Sequence, residues 1–338
     1  MITVAINGFG RIGRRIFRLI HERKNIKVVA INDLANTRTL SHLLKYDSIH
    51  GIFKGEISHD QNFILLDDSK IPLLNQSHPK SIDWTPYNPD FVIEATGQFK
   101  TANELTFHLK NGAERVILTV PPIDDDIKTI VLGTNEDTLD GTETIISNAS
   151  CTTNNAAPMI SIINSLCGIN QAYITTIHSY TTDQSLHDQP HRDLRRARAA
   201  GQSIVPTTTG AAKALTKIFP ELATVIGGCG IRVPVANGSL TDITFNVKKI
   251  ASIKTINAAF KEASENKYKG ILEYTEDPIV SIDIVGNSYS CIFDSQMTSV
   301  IGNMVKIIGW YDNETGYSNR VIDLIFNLWE KHPLLSDK

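Results

Sequence analysis

The chain has 338 residues, 41% hydrophobic and 20% charged, with a formal net charge of −3 at pH 7. That length fits two ordinary domains or one very large one, and the composition excludes a disordered chain. The charge gives no general attraction to nucleic acid or anionic membranes, and no apolar run reaches the roughly 18 residues of a membrane helix. Residues 1–6 read as a strand pattern without the basic region or cleavage site of a signal peptide. The cysteines, Cys151, Cys167, Cys229 and Cys291, are too far apart for a metal knuckle or redox pair. Reduced thiols in a cytoplasm are expected, with no metal site, no membrane and no nucleic-acid partner.

Residues 3–7 read as a buried strand, followed by Gly8-Phe9-Gly10-Arg11-Ile12-Gly13 and a helical pattern in Ile12, Ile16, Leu19 and Ile20. A second apolar strand, Val28-Val29-Ala30-Ile31, ends at Asn32-Asp33. This is the glycine fingerprint of a dinucleotide site in its required strand, turn, helix and strand context. Gly8 permits the tight turn, Gly10 lets backbone approach a pyrophosphate, and Gly13 lets helix and strand pack closely. Asp33, about 20 residues on, can accept hydrogen bonds from an adenosine ribose. The same carboxylate would repel a 2′-phosphate, so NAD is expected over NADP. Residues 39–46 give a short amphipathic helix, and strand-like segments follow at 55–57, 63–66 and 71–74. Residues 90–97 form a buried strand ending at Thr96-Gly97, and 116–121 repeat the pattern. In an open parallel sheet, ligands lie over the carboxyl ends of strands, which makes Thr96, Gly97 and Thr119 candidates for lining a cofactor cleft. Residues 129–133 and 144–146 are expected to complete the sheet.

That last strand runs into Ser147-Asn148-Ala149-Ser150-Cys151-Thr152-Thr153-Asn154, after which Ala156, Met159, Ile160, Ile163 and Leu166 share one helical face. Cys151 therefore stands at a helix N-terminus, with Ser150 or Thr152 as cap. Unpaired N–H groups and the positive end of the helix dipole favour a thiolate there, and can hold an oxyanion or phosphate. Residues 172–178 alternate and read as a strand ending at His178, the kind of distant histidine that a thiol nucleophile requires. Residues 179–206 have little apolar periodicity and several charges, a loop long enough to be functional. Pro206-Thr207-Thr208-Thr209-Gly210 opens a helix in an anion-binding arrangement. Arg232 is a lone arginine in an apolar stretch, and if buried it needs an acidic partner, internal or from a ligand. Alternating strands at 240–247, 280–285 and 304–310, with an amphipathic helix at 253–266, point to an α+β domain with a mostly antiparallel sheet. A last helix spans 318–329.

Taken together, these stretches resemble the phosphorylating glyceraldehyde-3-phosphate dehydrogenase family over essentially the whole chain. The match is carried by Asn7 to Gly13, Ser147 to Pro158, His178-Ser179-Tyr180-Thr181-Thr182-Asp183-Gln184, Leu194-Arg195-Arg196-Ala197-Arg198 and the stretch from Trp310 to Tyr317. The resemblance implies an α/β protein. A Rossmann-type, mostly parallel NAD-binding domain would cover 1–150, completed by the C-terminal helix 316–338, and an α+β catalytic domain would cover 151–315. It implies Cys151 and His178 as catalytic residues. Cofactor positions carried over are Asn7, Gly8, Phe9, Gly10, Arg11, Ile12, Asp33, Thr96, Gly97, Phe99, Thr119, Asn313 and Tyr317. Substrate and phosphate positions are Ser150, Thr152, Thr181, Arg196, Thr209, Gly210 and Arg232. The implied reaction is NAD-dependent oxidative phosphorylation of D-glyceraldehyde 3-phosphate to 1,3-bisphosphoglycerate, through a hemithioacetal and a thioester on Cys151, in a cytoplasmic homotetramer. Three stretches depart from the family pattern. Ser77-His78-Pro79 stands where the family commonly has Arg-Asp-Pro, Gln189 stands before Pro190 where leucine is frequent, and Asn155 replaces a second cysteine. The alternatives are erythrose-4-phosphate dehydrogenase, which hydrolyses the thioester, and a non-catalytic RNA-binding or scaffold role. Tyr180-Thr181 and the threonine turn favour the phosphorylating activity, and the complete Cys151/His178 pair argues against an inactive scaffold.

Overall fold

The computed structural model describes residues 1–331. The chain forms two units. The first contains Met1–Ile130, Asp137–Ala149 and the chain from Ser318, and the second contains Val131–Glu136 and Ser150–Tyr317.

In the first unit β1 (Ile2–Asn7), α1 (Arg11–His21), β2 (Ile26–Asn32) and α2 (Thr37–Lys45) are followed by a small hairpin, β3 (Tyr46–Asp47) and β4 (Gly51–Ile52). Then come β5 (Ile57–His59), β6 (Phe63–Leu66), β7 (Ser69–Leu74), β8 (Phe91–Glu94), α3 (Ala102–Lys110), β9 (Arg115–Leu118), β10 (Lys128–Thr129) and β11 (Ile145–Ser147). One nine-stranded sheet runs in the order β10-β11-β9-β8-β1-β2-β7-β6-β5. All its pairings are parallel except β5–β6 and β6–β7. The central strands are apolar on both faces, as buried parallel strands must be; β8 and β9 are buried throughout. Trp84 and Ile82 pack with Ala5, Ala30, Val92 and Ala113. Leu105 of α3 packs on Val116, Leu118 and Ile127. A capping box fixes the start of α3, with Glu104 accepting from the Thr101 N–H at 3.0 Å.

The strand expected at 129–133 is shorter than its apolar run, because β10 ends at Thr129 and a turn follows, with Thr134 N–H donating to Val131 O at 3.1 Å.

The second unit contains α4 (Cys151–Cys167), β12 (Ile169–Ser179), β13 (Val205–Thr207), α5 (Ala211–Ile218), β14 (Ile226–Val233), β15 (Ser239–Val247) and α6 (Ile253–Glu265). The strands β16 (Leu272–Thr275), β17 (Cys291–Asp294), β18 (Ser299–Ile301) and β19 (Met304–Tyr311) follow. An eight-stranded mixed sheet runs β13-β14-β12-β15-β19-β17-β16, with β18 on β19. Antiparallel pairings predominate; β12–β14 and β16–β17 are parallel. The expected strand at 280–285 is instead a series of turns. Asp283 accepts from the Val280 N–H at 2.8 Å, and Val280 and Ile282 are 55% and 72% exposed. Local side-chain bonding to backbone has displaced strand pairing there. β14, which the sequence reading took only as an apolar stretch, is a strand masked by glycines. An added Cβ at Gly228 would lie 2.7 Å from Ile174 O, so the neighbouring strand admits no side chain.

The final helix, α7 (Thr315–Lys331), is tied to the first unit where Arg23 donates to Asn319 at 2.9 Å and Arg115 to the Leu328 carbonyl at 3.4 Å. Residues 332–338 of the expected terminal helix lie outside the described residues. No helix among the described residues is long and apolar enough to cross a membrane.

Candidate active site

α4 begins at Cys151, and Ser150 is its N-cap, with the Ser150 hydroxyl accepting from the Thr153 N–H at 3.1 Å. The thiol is half-buried at the positive end of a 17-residue helix. His178 comes from β12 and is 6% exposed, and its Nε2 lies 3.5 Å from the Cys151 Sγ. Burial pushes the thiol up, while the Arg232 charge and the helix-start N–H of Thr152 pull it back. Burial first and Arg232 second hold the imidazole down at about 3. Both shifts favour the uncharged forms, a thiol beside a neutral imidazole, whereas the helix-start argument alone favours a thiolate.

Parallel register between β12 and β14 sets His178 opposite Arg232. Arg232 Nη1 stands 2.5 Å from His178 Nδ1 and donates to the Ser179 carbonyl at 3.2 Å. The same Nδ1 lies 2.7 Å from that carbonyl. No carboxylate among the described residues lies within ion-pair distance of Arg232; the acidic charge acting on it is that of Asp183, which is itself bonded to Arg196.

Two residues that the sequence reading did not single out complete this centre. The Tyr311 hydroxyl, on β19, bonds Thr152 Oγ1 and Thr176 Oγ1, each at 2.9 Å, and its ring meets His178 edge-on at 6.0 Å. The Thr152 hydroxyl, expected to face phosphate, shares one of its hydrogen bonds with Tyr311. Asp183 takes hydrogen bonds from both Thr181 Oγ1 and Arg196 Nη1. Arg196 also donates to Thr207 Oγ1 at 2.9 Å and Thr208 O at 3.4 Å, which brings it against the threonine turn. Thr209 accepts from the Ala211 N–H at 3.2 Å, and Gly210 is the N-cap of α5 with open space where a Cβ would stand. The Ser179 and Ser239 hydroxyls donate to Asn313 Oδ1, each at 2.9 Å, leaving the Asn313 amide nitrogen without a partner among the described residues. Tyr317 is buried in the first turn of α7.

The first unit carries the glycine turn. Gly8 has φ +93°, and a Cβ there would meet Thr96 N at 2.7 Å. A Cβ on Gly13 would lie 2.1 Å from Gly8 O, whereas one on Gly10 meets nothing within 4 Å. α1 has neither a side-chain cap nor an acidic residue in its first turn. Asp33 accepts from the Phe9 N–H at 2.7 Å and the Ala35 N–H at 2.9 Å, which leaves lone pairs for hydroxyl donors. An open glycine, an uncapped helix start and a strand-end carboxylate suit a dinucleotide. Other predicted residues are committed within the unit. Arg11 pairs with Asp47 at 2.6 Å, the Phe9 ring packs edge-on against Phe17 at 5.5 Å, and Ile12 is half-buried on α1. Asn7 donates to Glu94 and accepts from Asn32 at 2.7 Å. Thr96 donates to Glu94, and the Thr119 hydroxyl donates to the Glu94 carbonyl at 2.9 Å. Gly97 has φ +68° with open space beside it. Phe99 meets His78, one of the departures from the family pattern, edge-on at 5.1 Å.

Comparison with known proteins agrees with this division. The NAD binding domain of glyceraldehyde 3-phosphate dehydrogenase matches residues 2–102, and the C-terminal domain of the same family matches 150–313. Glyceraldehyde-3-phosphate dehydrogenase 2 of Streptomyces avermitilis is 51% identical over 326 residues, covering 96% of this chain and 97% of that one. The glyceraldehyde-3-phosphate dehydrogenase of Thermotoga maritima is 50% identical over 328 residues, covering 96% and 98%. That of Mycobacterium avium is 48% identical over 331 residues, covering 96% and 97%.

Proposed function

This chain belongs to the glyceraldehyde-3-phosphate dehydrogenase family, and from that premise we propose that it oxidises D-glyceraldehyde 3-phosphate and phosphorylates the product through Cys151. It is an NAD-dependent oxidoreductase. The observation that carries the covalent route is the 3.5 Å approach of His178 Nε2 to the Cys151 Sγ at the start of α4.

An incoming phosphate group draws Arg232 toward itself, since no carboxylate among the described residues lies within ion-pair distance and Asp183 acts on it only from further away. Nδ1–H of His178 is then free to donate to the Ser179 carbonyl, and Nε2 becomes an acceptor for the thiol proton. The Cys151 sulfur adds to the aldehyde carbon to give a hemithioacetal, whose oxygen is stabilised by N–H groups at the start of α4. His178 gives the thiol proton to that oxygen as the adduct forms, and later takes the proton back from the resulting hydroxyl. Bound NAD would supply the hydride acceptor through which the adduct becomes a thioester, and Asn313 would offer its amide N–H to the carboxamide. An oxygen of inorganic phosphate attacks the thioester carbonyl, the C–S bond breaks, and 1,3-bisphosphoglycerate leaves Cys151 as a thiolate that regains its proton. Arg232, Arg196 and Thr181 serve one phosphate subsite or the other, with Ser150, Thr209 and Gly210.

The working form is a cytoplasmic homotetramer. Leu186 and Leu194, each 82% exposed on the charged loop after β12, suit a subunit contact, and the cysteines are free thiols, as in a reducing compartment.

The test is NADH formation from glyceraldehyde 3-phosphate and from erythrose 4-phosphate, with NAD or NADP, with and without inorganic phosphate. Phosphate-dependent NADH formation from the triose supports the reading. Phosphate-independent turnover of the tetrose points to the sister activity, and no reduction with either aldehyde overturns both.

A further inference from the structure

Glu94 ends β8, a strand that is otherwise apolar, and it is 0% exposed. Donors surround its carboxylate. Asn7 Nδ2, opposite it in the β1–β8 register, donates to Oε2 at 2.5 Å. The Thr96 N–H donates to Oε1 at 2.9 Å, and the Thr96 hydroxyl donates to the same oxygen. His108 of α3, also 0% exposed, has Nε2 3.1 Å from Oε2. The Trp84 indole N–H can only donate, and it lies 3.0 Å from His108 Nδ1. Nδ1 is therefore an acceptor, and Nε2–H donates to Glu94. Among the described residues no arginine or lysine pairs with this carboxylate.

Such a charge is a poor way to stabilise a fold, because an apolar residue of similar size would avoid its desolvation. What the arrangement does secure is position. Glu94 holds the side chain at the end of β1 and the backbone just after β8, and the glycine turn is wedged between these two points. Gly8 lies so close to Thr96 that a methyl group would not fit between them.

We propose that Glu94 is a positioning residue for the dinucleotide. By clamping Asn7 and Thr96 together it keeps the Gly8-Phe9-Gly10 turn in the shape that receives the pyrophosphate, and His108, oriented by Trp84, fixes the clamp. This inference rests on the NAD-binding reading. Glu94 acts through the turn and touches no reacting atom.

The experiment measures dissociation constants for NAD, ADP-ribose and adenosine on the full chain and on Glu94→Gln and His108→Gln. It is paired with thermal melts and with the rate of Cys151 alkylation by iodoacetamide without cofactor. Gln keeps the volume but sets an amide N–H₂ against one of the existing donors. NAD and ADP-ribose should both weaken about tenfold or more in Glu94→Gln and by less in His108→Gln. Adenosine affinity and the alkylation rate should stay at the full chain's values. Equal NAD affinity in Glu94→Gln and the unaltered chain, or a loss shared equally by adenosine, overturns the proposal. If Glu94→Gln fails to fold, His108→Gln decides by the same readings. Absence of NAD binding by the unaltered chain would instead sink the functional reading itself.

Discussion

His178 Nε2 stands 3.5 Å from the Cys151 Sγ, while the other nitrogen of the same ring lies 2.7 Å from the carbonyl of Ser179. One imidazole thus bridges the Cys151 thiol and a fixed backbone acceptor, and Arg232 reaches the same nitrogen and the same carbonyl. The chemistry depends on which neighbour Nδ1 serves.

Removing the sulfur should stop turnover and spare the cofactor. Cys151→Ser is expected to form no NADH burst while binding NAD with unchanged affinity by fluorescence titration. His178→Asn keeps the thiol but loses the base, so the burst rate should fall by about 10²–10⁴. A burst of undiminished rate in His178→Asn would remove the histidine from the mechanism.

Acid should destabilise the protein through the same histidine. Its folded value is depressed to about 3 from an ordinary 6.5, by burial first and Arg232 next. Between those values the unfolded chain binds the proton more readily than the folded one. The stability tied to the neutral ring is complete above pH 6.5 and drains away as pH falls toward 3, at up to about 1.4 kcal/mol per pH unit. Urea midpoints for the unaltered protein and His178→Asn should differ in slope only on the acid side of about pH 6.5. Parallel curves across the whole range would count against a buried neutral ring.

Arg232 should select for the phosphate on the aldehyde. Arg232→Gln is expected to lower kcat/KM for glyceraldehyde 3-phosphate by about 10- to 150-fold, the range for a lost hydrogen bond to a charged group. Most of the loss should appear in KM, and unphosphorylated glyceraldehyde should be affected far less. An equal loss on both aldehydes would assign this arginine to the chemistry at His178 rather than to anion binding.

Two glycines of one turn should fail in opposite ways. Gly13→Ala puts a methyl 2.1 Å from the Gly8 carbonyl oxygen, and backbone must move to admit it. A stability loss of about 1–3 kcal/mol or more is expected, read as a lower melting temperature. Gly10→Ala meets nothing within 4 Å and should melt like the unaltered protein, yet bind NAD weakly because the added methyl occupies the approach to the pyrophosphate. Full NAD affinity in Gly10→Ala would move the pyrophosphate elsewhere.

The glycine turn, the strand-end Asp33 and the helix-start Cys151 could be read directly along the chain. Each depends on conformational rules acting over a few residues: a positive φ, a cap, a switch from alternating to helical periodicity. The mostly parallel first sheet was legible for the same reason, because its strands are continuous apolar runs. Where local side-chain bonding or glycine overrode the apolar pattern, as at 280–285 and along β14, the reading of strands failed.

Sequence by itself determined which short segments hold chemically capable side chains such as Cys151 and His178 at helix and strand ends. Only the tertiary structure decided what those residues face. Tyr311 reaches Thr152 across 159 positions of chain, Glu94 gathers Asn7 from 87 positions away, and Arg232 lies beside His178, 54 positions from it. These relations follow from strand register and burial, which place a polar group among partners distant in the chain, and nothing in its immediate sequence neighbours records them.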